Sequence, residues 1–145
     1  MIQRKQSIWL LLAALLAAGV FFFDLYRAEV KIGEITDYKL LRVADHYPSL
    51  LIALVMIAMP LISIFMFGDR KRQLRMSYVS ILAAISFLSM MLFRVSALAK
   101  EIPPVTGGNY WIGAVLPVLS IVFLILAIAG IRRDEKLVRS VDRLR

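Results

Sequence analysis

Four long apolar runs constrain this chain more than any other feature: Ile8–Phe23, Ser49–Gly68, Met76–Phe93 and Tyr110–Ile131. They are 16, 20, 18 and 22 residues long and hold more than half of the 145 residues. A hydrocarbon slab about 30 Å thick is crossed by roughly 20 helical residues, so each run is of spanning size once a flanking residue is added. Transmembrane strands leave short alternating segments instead of continuous runs. Without water to satisfy backbone groups, helices are the remaining solution. A soluble core this small cannot hide 61% apolar residues at a mean hydropathy of +0.79. The pattern predicts an all-α membrane protein, a single integral-membrane domain over residues 1–145. The expected architecture is a four-transmembrane-helix antiparallel bundle with spans at about 7–26, 48–68, 75–98 and 109–131 and a tail at 132–145.

The net charge of +8 invites a nucleic-acid reading, but its distribution argues against one. Residues 1–7, 69–75 and 132–145 carry 12 of the 18 Lys and Arg residues; the segments 24–48 and 94–109 carry the other 6. Short segments rich in Lys and Arg stay cytoplasmic, so both termini are expected inside, in a bacterial inner membrane. The basic patches abut apolar runs and lack interleaved aromatics, so the expected partners are the bilayer and its anionic headgroups, not nucleic acid. Without cysteine there is no disulfide, thiol chemistry or S-lipid anchor. The first run resembles a secretory signal, but cleavage near Gly19 would strand Val20–Phe23 as an exposed apolar end, and a retained helix is expected.

Between the first two runs, Asp24–Pro48 is the one sizeable polar stretch. Glu29-Val30-Lys31-Ile32, Gly33 and Tyr38-Lys39-Leu40 suit a small β-hairpin in this first outer loop, packed on helix ends because two strands alone are marginal. Residues 69–75 are expected to form a tight turn, and Ala99–Asn109 an irregular loop broken by Pro103-Pro104 and Gly107-Gly108. Pro60 and Pro117 fall inside spans, where each frees the carbonyl four residues earlier, at Met56 and Gly113. Neighbouring helices must cover these carbonyls.

Groups that perform chemistry are scarce. No Asp, Glu, Lys or His lies inside any of the four runs, where proton relays and transport sites plant them. A lone His46 without cysteine makes a poor metal site, and no phosphate-cradling glycine motif or nucleophile elbow occurs. No enzyme activity, cofactor or metal is expected. Arg94 follows the third run and Asp24 closes the first on the same side, a candidate structural ion pair. Small residues (Ala13, Ala14, Ala17 and Ala18 in the first run; Ser77, Ser80, Ser86 and Ser89 in the third) permit close helix approach, within the bundle or against a partner or second copy. The tail carries an apolar stripe, Leu137, Val138, Val141 and Leu144, beside Arg132, Arg133, Lys136 and Arg139. It reads as an amphipathic helix for the cytoplasmic membrane surface or a protein partner.

Met1-Ile2-Gln3-Arg4 running into Ile8-Trp9-Leu10-Leu11-Leu12-Ala13, with Arg133–Arg145 at the other end, resembles a membrane-protein family of the Bacteroidota labelled domain of unknown function 4293. The likeness covers the whole chain, with Lys5 where an apolar residue is expected. It implies a four-span inner-membrane protein and supplies no activity, substrate or catalytic residue. The reading for function is a non-enzymatic accessory or scaffold subunit of a membrane assembly. The alternative is an oligomeric transport or channel component, which a polar cavity lined by Ser77, Ser80, Ser86 and Ser89 would favour.

Overall fold

A computed structural model describes residues 3–32, 35–66, 68–100 and 105–142, with side chains described over 6–31, 35–66, 68–100 and 105–137. The elements run α1 (Gln3–Gly19), β1 (Tyr26–Ile32), β2 (Ile35–Leu41), α2 (Tyr47–Phe65), α3 (Arg70–Leu98), β3 (Val105–Tyr110) and α4 (Ile112–Asp142). The helices alternate in direction and close a square, α1 touching α2 and α4, and α3 touching the same two. All three strands lie at one end. The α2–α3 turn, the start of α1 and the end of α4 lie at the other.

α2, α3 and α4 are long and apolar enough to cross a membrane; α1, at 17 residues, is shorter. α1 ends well before Tyr26, where the sequence pattern placed the close of the span. Gly19 stops the α-helix before the bulky Val20-Phe21-Phe22-Phe23, and a tighter turn takes over. Val20, Phe21 and Phe22 donate backbone N–H to Ala17, Ala18 and Gly19 at 3.4, 3.2 and 3.0 Å. Tyr26 opens β1 instead.

The expected hairpin is present: β1 pairs antiparallel with β2 from Tyr26↔Leu41 to Ile32↔Ile35. The expected irregular loop at 99–109 is in part a third strand, and the sheet order is β2-β1-β3. Gly107 and Gly108 do not break it. Gly108 stands opposite Ala28, and a Cβ there would lie 2.7 Å from the Arg27 carbonyl oxygen. The glycine is what lets β3 approach β1. A register shift between Glu29 and Val30 absorbs the mismatch.

Alternation gives the sheet two faces. Ala28 and Val30 are buried on the inward face, and Ala28 joins Leu25, Leu41, Val43, Phe87, Met91 and Leu98 in a core continuous with Ala17, Ala53, Met56 and Ala84 of the bundle. The sheet is therefore a cap on the helices, not an appendage.

Most of the small residues of α1 are spent inside. Ala13, Ala14 and Ala17 are buried, and Ser120 Oγ donates to the Ala13 carbonyl at 2.9 Å. Leu10, Ala13, Leu124 and Ala127 pack together where α1 and α4 run side by side. At the far end of this seam, a Cβ on Gly130 would lie 2.9 Å from Gln6 Cγ.

α2 and α3 are joined by a reciprocal clamp. Ser63 Oγ donates to the Gln73 carbonyl and Gln73 Nε2 to the Ser63 carbonyl, both at 3.2 Å, while Ser77 Oγ adds a donor to Gln73 O at 3.0 Å. The basic segment 69–75 is not a loop. Asp69 caps α3 by accepting from Arg72 N at 3.1 Å, so Arg70–Arg75 form its opening turns. At the other terminus, α4 runs unbroken through residue 131 to Asp142. The tail is not a separate interfacial helix, because Ile131–Leu137 offers good helix formers and no breaker.

Candidate functional site

The sheet end of the bundle is organised around Asp24, 8% exposed in the short link between α1 and β1. Its Oδ1 accepts from Arg42 Nε at 2.8 Å, and its Oδ2 from Arg27 Nε and Nη2 at 3.1 and 2.9 Å. Its backbone carbonyl accepts from Gly113 N at 3.1 Å. A Cβ at position 113 would sit 2.6 Å from that carbonyl oxygen, so the start of α4 reaches the link only because residue 113 is glycine. The Arg42 hydrogen bond, aided by Arg27 and opposed by burial, holds the Asp24 carboxyl below its ordinary value of 3.8. The same bond raises the already high pKa of Arg42.

The expected direct Asp24–Arg94 pair is replaced by an indirect one. Arg94 Nη1 donates to the backbone carbonyl of Arg42 at 2.8 Å, and the Arg42 side chain holds Asp24. α3 thus grips the end of β2, which grips the α1–β1 link. Arg42 was the residue sequence reasoning missed. It sits one position beyond a strand whose length only pairing with β1 defines.

Arg27 also lies over the Trp111 ring, 4.0 Å from its centroid, tying β1 to the residue that joins β3 to α4. Tyr26 and Tyr110 meet edge-to-face at 5.1 Å on the opposite face. On the outward face, Arg27, Glu29, Tyr38, Leu40, Asn109 and Trp111 line a groove of about 450 Å³. Tyr38 and Trp111 are 58% and 39% exposed.

His46 caps α2: its Nδ1 accepts from Ser49 N at 3.3 Å and pairs with Ser49 Oγ at 2.9 Å. No group of three or more metal-ligating side chains occurs among the described residues. The four serines do not line one cavity. Ser77 and Ser80 are buried between helices, whereas Ser86 and Ser89 are exposed and Ser89 Oγ bonds the Ile85 carbonyl of its own helix.

At the opposite end, Asp134 is buried in a helix that sequence reasoning treated as surface. Gln6 Nε2 donates to its Oδ2, and Arg70 Nη1 donates to its backbone carbonyl at 3.2 Å. Arg132 donates to the Tyr78 hydroxyl and lies 5.7 Å from that ring. Arg133, Lys136 and Leu137 are exposed. Arg139 and Val141 belong to α4 with side chains outside the described residues, and Leu144 lies outside the described residues altogether.

No curated protein and no solved structure matches this chain. The family model for domain of unknown function 4293 (DUF4293) matches residues 2–144, and the chain belongs to that family.

Proposed function

We propose that this protein is a four-span, non-enzymatic accessory or scaffold subunit of an inner-membrane assembly, with both termini cytoplasmic. Its outer sheet docks an extracytoplasmic segment of a partner membrane protein. The observation that carries the reading is the open face of the sheet. Arg27, Glu29, Tyr38, Leu40, Asn109 and Trp111 form a groove on a platform braced by Asp24, Arg42 and Arg94. Asp24, Arg42 and Arg94 are spent on bracing the platform, and Tyr38 and Trp111 are left exposed, the composition of a binding patch.

Four spans are supported by the α1–α4 seam. From Gln6 beside Gly130 to Asp24 beside Gly113, α1 and the turn that follows it run along the whole apolar part of α4. Where α4 crosses the bilayer, α1 is in it too. The orientation rests on the excess of Lys and Arg in the segments next to the start of α1, the α2–α3 turn and the end of α4.

The test is photocrosslinking in cells from a benzophenone amino acid placed at Tyr38 or Asn109, with lipid-facing Leu54 as control. Discrete adducts with another membrane protein, formed from the sheet positions and absent from the control, are expected. Adducts only with a second copy, or none from either sheet position, would overturn the docking role.

A further inference from the structure

We infer that α4 carries a binding site for an anionic phospholipid at the end remote from the sheet. The phosphate sits among Arg132, Arg133 and Lys136, and an acyl chain lies along the apolar stripe that precedes them. A groove of about 520 Å³ is lined there by Ala129, Arg132, Arg133, Glu135 and Lys136. Residues 122, 125, 126, 129, 132, 133 and 136 recur at helical spacing and share one face. Val122, Ile125 and Leu126 are 48%, 53% and 43% exposed, and Ala129 and the three cations continue the outward face.

The character of this face changes from apolar to cationic within one turn. The change falls at Arg132, where the long apolar part of α4 ends, the depth of a phosphodiester in a bilayer. Ala129, with its single methyl, leaves the floor of the groove open beneath the cations. Arg132 is held in position by the Tyr78 hydroxyl and ring of α3, a contact that uses only part of its donor fork. Three cations outweigh the one carboxylate, Glu135, that shares the lining. Basic pockets at the ends of spanning helices are suited to anionic headgroups.

The basic cluster opening α3 differs. Arg72 is paired with Asp69 at 2.9 Å, and Arg75 Nε bonds the Lys71 carbonyl at 3.4 Å. This cluster supplies a charge-matched control. The site depends on α4 spanning the membrane and not on any docking at the sheet, so the two proposals fail separately.

The experiment is native mass spectrometry of the full chain in neutral detergent with phosphatidylglycerol or, at equal concentration, zwitterionic phosphatidylethanolamine. Phosphatidylglycerol adducts should dominate by about ten-fold and fall by a similar factor in the Arg132→Ala/Arg133→Ala/Lys136→Ala variant. They should persist within about two-fold in Lys71→Ala/Arg72→Ala/Arg75→Ala, where equal charge is removed from a surface without the groove. Ala129→Trp keeps every charge and fills the groove, so it should lose the adduct too; this variant decides the matter if the triple tail variant fails to fold. Equal loss in both triple variants, or full binding by Ala129→Trp, would overturn the site. Glycerol phosphate, the headgroup chemistry without chains, should not displace the lipid. Displacement at matching concentration would make this a soluble-phosphate site and overturn the lipid assignment.

Discussion

The hydroxyl of Ser80 donates to the carbonyl oxygen of Met56 at 3.5 Å, the acceptor that Pro60, four residues further along α2, leaves without its helical donor. The proline creates the vacancy and a neighbouring helix covers it, with Ser80 and Met56 both fully buried. Interhelical hydrogen bonds of this kind contribute about 0.6 kcal/mol in membrane proteins. Ser80→Ala should therefore destabilise the bundle by about that amount. In a Pro60→Ala background residue 60 regains its N–H and bonds Met56 itself, so the cost of Ser80→Ala should vanish there. Unfolding free energies in a double-mutant cycle measure this; an undiminished cost in the Pro60→Ala background would exclude the coupling.

Asp24 should make the sheet end acid-sensitive. Its folded-state pKa is depressed below the ordinary 3.8 by the arginines it accepts from. Its contribution to stability is therefore full above the unfolded value and disappears as pH falls through the folded one. The difference in unfolding midpoint between the wild type and Asp24→Asn should be a few degrees at pH 6 and shrink below about pH 4. A difference that stays constant down to about pH 2.5 would remove the carboxylate from this role.

Glycine substitutions should separate close approach from open space. At position 113 a Cβ meets backbone oxygens of Asp24 and Phe23 at 2.6 and 2.8 Å, atoms that move only with the whole link. At position 68 it meets nothing within 4 Å. Gly113→Ala should cost about 1–3 kcal/mol as overpacking does, and Gly68→Ala should stay within about 0.5 kcal/mol of wild type. Thermal or denaturant unfolding of the two variants reads this directly.

Reporter fusions test the orientation. Alkaline phosphatase fused after residue 40, in β2, should be active, and the same enzyme after residue 145 should be inactive. Activity from the C-terminal fusion would reverse the inside–outside assignment.

The membrane class was legible because continuous apolar runs of spanning length suit a bilayer and little else. The β1–β2 hairpin was legible because alternation survives in so short a segment. β3 was hidden for a physical reason. Its glycines read as breakers in one dimension, yet Gly108 serves a strand by admitting Ala28 and Tyr26 alongside. Helix limits were misjudged wherever polarity and backbone parted company. Arg70–Arg75 are polar but helical behind the Asp69 cap, and Val20–Phe23 are apolar but outside α1. At the candidate site, Asp24 and Arg94 stand out in the sequence as charges at the ends of apolar runs. Their intermediary does not, because a backbone carbonyl, that of Arg42, leaves no trace in a sequence.

β3 and α4 are separated by Trp111 alone. α4, at 31 residues with Pro117 in its second turn, is about 46 Å of helix. Sheet and tail are therefore two ends of one lever. A load on the strands is passed along α4 toward Arg132 and Asp134 at the opposite end of the bundle, where Tyr78 and Gln6 hold them.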